Sequence, residues 1–90
     1  ATPVTLRRQA AVARAAGRTQ LADNLERAAE LASVPDDELL EIYTALRPGR
    51  SSAAQLEERA ARLDELDAVR TAAFVREAAA AYRERGLLAG

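Results

Sequence analysis

Twenty-three of the ninety residues are alanine, and that fact confines the chain to a narrow set of folds. Alanine is the strongest helix former, yet its methyl fills little of a core. The larger apolar residues are twelve leucines, five valines, Ile42, Phe74, Tyr43 and Tyr82. Arginine and glutamate, also good helix formers, supply much of the remainder. Alternating β-branched runs are missing, as are Asn-Gly and Asp-Gly hairpin turns. The expected fold is all-α, a small bundle of about four to five helices joined by short Gly/Pro turns.

So few bulky side chains leave the chain near the limit of independent stability. Domains of this size usually add disulfides, a metal or a partner subunit. With no cysteine there is no disulfide, no thiolate nucleophile and no sulfur-ligated zinc. With no histidine the commonest general base and metal ligand is missing. A partner chain is therefore expected, and catalysis by this chain alone is not.

Charge narrows the partner class. All thirteen basic residues are arginine, and the net charge of -1 hides segregation. Residues 1–20 carry four arginines and no acid, whereas residues 21–46 carry seven acids against Arg27. No stretch has the basic density or aromatic interleaving of a nucleic-acid surface, so no nucleic-acid partner is expected. No apolar run approaches the ~20 residues that span a bilayer, so no membrane partner is expected. No charged-then-apolar leader is seen, and a cytoplasmic location is the expectation.

Local signals set the helix boundaries. Thr2-Pro3 reads as an N-cap and first helical residue, and Gly17 as a left-handed stop after about Ala16. The stripe of this first helix is thin: Leu6, Ala10 and Ala13. A second helix, 19–32, has Leu21, Leu25, Ala28 and Ala32 on one face. Asp23, Glu26, Arg27 and Glu30 fall on the other, with Asp23 and Arg27 at pairing distance. Val34-Pro35 restarts the chain into a third helix, 35–46, expected to bury Leu39, Ile42, Tyr43 and Leu46. Pro48-Gly49 ends it, and Ser52 with Gln55 forms a capping box for a fourth helix. Asp67 falls where that helix requires an apolar residue, which predicts a break at 64–67. The alternative is one helix over 53–85. The last helix, 68–85, spreads Phe74, Val75, Ala78, Ala79, Ala81 and Tyr82 over roughly half its circumference, wider than one neighbour needs. Part of that arc is expected to face another subunit.

Three groups of polar residues are candidates for function. Asp36, Asp37, Glu38 and Glu41 lack the alternating spacing and glycine turn of a calcium loop, and read as first-turn acids complementing the helix dipole. Asp64, Glu65 and Asp67 read as a solvated face, because paired catalytic carboxylates need a dry cleft. Arg47-Pro48-Gly49-Arg50 is either a helix end with favourable charge or a pair of arginine forks for a partner's carboxylates. Tyr43 and Tyr82 read as core residues with hydroxyls at the rim. Arginine and aromatic residues anchor interfaces, so Arg47, Arg50, Phe74, Arg76 and Tyr82 are the candidate partner contacts.

Three stretches, LRRQAAVARAAGRTQLADNLERAAEL, VPDDELLEIYTALRPGRSS and AAFVREAAAAYRERGLL, occur in an order that resembles a known family. The carrying features are Ala16-Gly17-Arg18, Asn24 to Leu31, Val34-Pro35-Asp36, Ile42-Tyr43, Ala45 to Pro48 with Arg50-Ser51, and Ala73 to Ala78. Together they resemble the small (gamma) subunit of adenosylcobalamin-dependent diol and glycerol dehydratases over nearly the whole chain. Gly49 departs from the pattern, standing where that family has a bulkier, often aromatic residue. The family's usual N-terminal extension is missing before Ala1, and residues 1–90 read as a single helical domain.

The resemblance implies a non-catalytic structural subunit. Its partners would be a large barrel subunit that binds the diol and a metal ion, and a medium subunit that helps hold the corrin. Two such three-subunit units would form the assembly. Adenosylcobalamin would belong to the complex; no cofactor, metal or catalytic residue is implied on this chain. The reaction implied is radical dehydration of 1,2-propanediol or glycerol to an aldehyde. Packaging inside a bacterial microcompartment is left open. The competing reading is a stand-alone or self-associating helical adaptor.

Overall fold

The computed structural model describes residues 2–90. Five helices follow one another: α1 (Pro3–Ala15), α2 (Thr19–Leu31), α3 (Asp36–Ala45), α4 (Ala53–Glu65) and α5 (Val69–Arg85). No strand occurs among the described residues. The all-α expectation holds, with boundaries within a residue or so of those read from capping signals.

The helix ends explain the agreement. Thr2 accepts a hydrogen bond from the Thr5 amide, with Pro3 in the first helical position. Ser52 and Gln55 form the reciprocal capping box at the start of α4. At the end of α1, Gly17 adopts φ 78° and the Arg18 amide donates back to the Ala13 carbonyl at 2.8 Å. After α5, Gly86 (φ 69°) lets the Leu87 amide donate to Tyr82 at 2.8 Å in the same way.

The break inferred at 64–67 is real, and one helix over 53–85 is excluded. Asp67 takes φ 60°, and the Ala68 amide donates to the Leu63 carbonyl at 2.9 Å. No glycine is needed, because aspartate is among the few residues that enter the left-handed region.

These turns expose a repeat. Thr2 and Ser52, Gly17 and Asp67, and the side-chain-free caps Arg18 and Ala68 lie fifty positions apart. Helices α1 and α4 have the same length, 13 residues. The chain is thus two helical hairpins of one design, α1–α2 and α4–α5, joined by α3.

Their cores differ. In α4–α5, Leu56, Ala60, Leu63, Ala72 and Val75 are buried together with Val34 and Ile42, which α3 and its approach lay over them. In α1–α2 the buried set is Ala10, Ala13 and Ala22, with Leu25 alongside. Nothing comparable to α3 covers this hairpin among the described residues.

Two expectations about packing are corrected. Helix α2 buries Ala22, Ala29 and Glu30, while Leu21, Ala28 and Ala32 are exposed. Helices packed through alanine approach closely, so the smallest side chains face inward and Leu21 is displaced outward. Tyr43, expected in the core, is 59% exposed, since α3 presents Ile42 and, partly, Leu39 and Leu46 to α4 and α5.

The molecule is long for its size. Its radius of gyration is 14.6 Å, against about 12 Å for a compact chain of this length. Its accessible surface is 5891 Å², against about 5,100 Å² for a typical monomer of this mass. No helix among the described residues is long and apolar enough to cross a membrane.

Candidate functional site

The arginine turn is tied down by hydrogen bonds. Gly49 takes φ 77°, and its amide donates to the Leu87 carbonyl at 2.7 Å. The Ala89 amide donates to the Ser51 carbonyl at 2.8 Å, so the C-terminal tail is stitched to the turn. The Ser51 hydroxyl donates to the Ala45 carbonyl at 2.8 Å, and the Tyr82 hydroxyl to the Leu46 carbonyl. Arg47 and Arg50 stand on this turn exposed and in no ion pair among the described residues. Arg50 also borders an open groove with Glu41, Gln55, Glu58 and Arg59.

The five candidate contacts do not form one patch. Arg47, Arg50 and the Tyr82 hydroxyl gather at the turn. Phe74, 58% exposed, lies elsewhere, beside Leu31, Leu39 and Tyr43 in a shallow apolar depression between α2, α3 and α5. Arg76 is engaged within the chain: it grips Glu57 with two bonds of 2.9 Å and reaches Asp64 at 2.9 Å. Those hydrogen bonds hold Arg76 above its ordinary pKa and Glu57 below its own.

Most acids judged as candidate sites have arginine partners. Glu38 accepts from Arg62 at 3.0 Å and Glu41 from Arg59 at 2.7 Å, fastening α3 onto α4. Asp23 and Glu26 lie between Arg14 of α1 and Arg70 of α5, rather than Asp23 pairing with Arg27. Hydrogen bonds from Arg14 and then Arg70 hold Asp23 below the usual carboxylate range. No group of three metal-ligating side chains occurs among the described residues.

Sequence reasoning missed Glu30, which it placed on the face of α2 opposite the apolar stripe. Its carboxylate is buried and accepts from the Arg70 and Thr71 amides at 3.0 Å each and from the Thr71 hydroxyl at 3.2 Å. It therefore caps α5 from α2, replacing the side-chain cap that Ala68 cannot provide. The only hint in the sequence was a helix starting at Ala68-Val69 without a capping residue.

Against this geometry stand the likenesses to known proteins. The family model described as dehydratase small subunit matches residues 1–89. The chain belongs to the dehydratase small-subunit family. It is 58% identical to the propanediol dehydratase small subunit of Citrobacter freundii and 57% identical to that of Salmonella typhimurium. Each alignment takes in 99% of this chain and 52% of the relative, so the chain spans about half the length of the curated relatives it matches.

For a dehydratase small-subunit chain, the fit to a corrin can be tested directly. There is no histidine to ligate cobalt, and the apolar concavities are shallow and open. These residues do not form a cradle for the cofactor. What they do form is an exterior on which Arg47 and Arg50 are exposed.

Proposed function

We propose that this chain is a non-catalytic structural subunit of an adenosylcobalamin-dependent diol or glycerol dehydratase, a hydro-lyase. The observation that carries this reading is the family match over residues 1–89, with 57–58% identity to propanediol dehydratase small subunits. Substrate, metal and cofactor would be held by a large and a medium subunit, in a dimer of three-subunit units. When bound there, adenosylcobalamin supplies the radical chemistry that dehydrates the diol to an aldehyde.

The contribution of this chain is association. A partner that binds only the folded state stabilises it by mass action, and the extended, surface-rich shape leaves much to cover. Arg47 and Arg50 would meet carboxylates of the partner, their guanidinium forks suiting bidentate pairing. Phe74 would supply an apolar anchor. Arg76 and Tyr82, whose polar groups already have partners in this chain, would contribute through their remaining exposed surface.

The test is co-expression of this chain with large and medium subunits, then an activity assay with adenosylcobalamin and 1,2-propanediol. The expected result is co-purification, with a complex that loses stability when this chain is omitted. A dehydratase equally active and equally stable without it contradicts the proposal. Replacing both Arg47 and Arg50 with alanine is expected to weaken co-purification, and unchanged association removes them from the interface.

A further inference from the structure

The internal repeat leaves the first hairpin with a bare face whose counterpart in the second is covered. Between α1 and α2 runs an apolar groove of about 570 Å³ whose walls include Val12, Ala13, Leu21 and Leu25. Fifty positions on, the same places are held by Arg62, Leu63, Thr71 and Val75. Those residues lie beneath α3: Leu63 and Val75 are buried with Ile42, Arg62 pairs with Glu38, and Thr71 borders Leu39. The groove is thus the vacant counterpart of a helix-binding surface that the second hairpin fills from its own chain.

We propose that this groove receives an amphipathic helix from a partner subunit, seated on α1–α2 as α3 is seated on α4–α5. The chemistry of that helix follows from the differences between the paired positions. Ala13 replaces Leu63 in the floor, which leaves room for larger anchors than the Ile42 and Leu39 of α3, such as methionine or phenylalanine. Val12 and Leu21 replace Arg62 and Thr71 on the rim, so the helix is apolar where α3 presents Glu38 to Arg62. Its anchors would recur at i, i+3 or i+4, and i+7, the spacing by which helices occupy grooves. Arg18 borders the groove and has no ion pair among the described residues. Residues 1–20 carry no acid at all, so the flank of the incoming helix is acidic. A second copy of this chain is the poorer occupant, because its acidic amphipathic helix, α3, is already seated.

The source of the helix rests on the subunit reading above; the groove and its repeat do not. Val12 and Leu21 are 72% and 42% exposed, so Val12→Asp and Leu21→Asp should leave the circular dichroism spectrum and melting temperature of the free chain nearly unchanged. Binding of each variant to co-purified large and medium subunits is then titrated beside wild type, with Val69→Asp as an exposed control outside the groove. We expect at least a tenfold loss for the groove variants and none for the control. Because the chain has no cysteine, Val12→Cys adds a unique thiol to it, and its maleimide labelling should slow several-fold when the subunits are present. Wild-type binding with unaffected groove variants and an unprotected thiol overturns the groove proposal while leaving the proposed function standing. A wild-type chain that binds neither subunit overturns both. Groove variants that abolish only self-association, seen by sedimentation, overturn the choice of occupant.

Discussion

In the α4–α5 hairpin, Leu56, Leu63 and Val75 are sealed beneath α3; in the α1–α2 hairpin the matching positions are Leu6, Ala13 and Leu25, with no counterpart of α3 over them among the described residues. Both hairpins share their caps, their left-handed turns and their spacing. Even an ion pair recurs with its signs reversed, Arg14–Glu26 in the first and Asp64–Arg76 in the second. The backbone design therefore does not need a large core, and what separates the two halves is how each is finished. The second hairpin buries bulky side chains within the chain. The first packs alanine on alanine and leans on the second through Glu30 and the arginine–carboxylate network around Asp23.

The largest expected effect tests the core of the completed half. Leu63→Ala should cost about 3 kcal/mol by urea denaturation, since a buried leucine leaves a cavity. Its counterpart change, Ala13→Gly, should cost about 1 kcal/mol, through helix propensity and a lost methyl. Equal costs at the two positions would erase the distinction between the hairpins.

Next is the joint between them. Glu30→Ala removes a buried carboxylate that satisfies two amides and a hydroxyl of α5, and should cost about 2 kcal/mol. Exchange of the first α5 amides should quicken more than that of α4. A loss below about 0.5 kcal/mol, the size of an ordinary surface change, would mean the cap is dispensable.

The shared turn offers a change of opposite sign. Gly17→Ala should destabilise by about 1 kcal/mol, because a β-carbon is strained at positive φ even where space is open. Asp67→Gly should stabilise by about 0.5 kcal/mol by relieving the same strain. Thermal melts of the two variants check both.

The smallest effect concerns pH. Asp23 and Glu57 titrate below their ordinary values of 3.8 and 4.5 in the folded chain, each because arginine hydrogen bonds favour the carboxylate. Depressed values mean that their stabilisation is complete above the unfolded pKa values and is lost as pH falls through the folded ones. Melting temperature should therefore drop on acidification below about pH 4, and less steeply in high salt. Asp23→Asn should flatten that slope, and both pairs being exposed keeps the change small.

Much of this architecture was legible from local chemistry. Thr2-Pro3, Gly17, Ser52 with Gln55, and Gly86 act within a turn of their own helix, so a linear reading finds them. Asp67 was detected as an interruption in a stripe, because its effect is also local. Glu30 was not legible: it caps a helix forty residues away, and only tertiary packing brings the two together. In helix α2 only Leu25 of the expected stripe packs inward, and Ala22 and Ala29 take the rest, because a wheel ranks leucine above alanine, whereas close helix approach selects the smaller residue. The candidate interface was legible only as residue types. Sequence could not show that Arg76 is bound within the chain, or that Arg47 and Arg50 stand on a turn fixed by the C-terminal tail.

The central claim, that the first hairpin is completed from outside, is tested most directly by amide hydrogen exchange measured with and without the proposed partner subunits. The account expects α1 and α2 to open more readily than α4 and α5 in the free chain, and to gain protection in the complex. Helices α1 and α2 as slow to exchange as α4 and α5 in the free chain, or unchanged by the subunits, would contradict it.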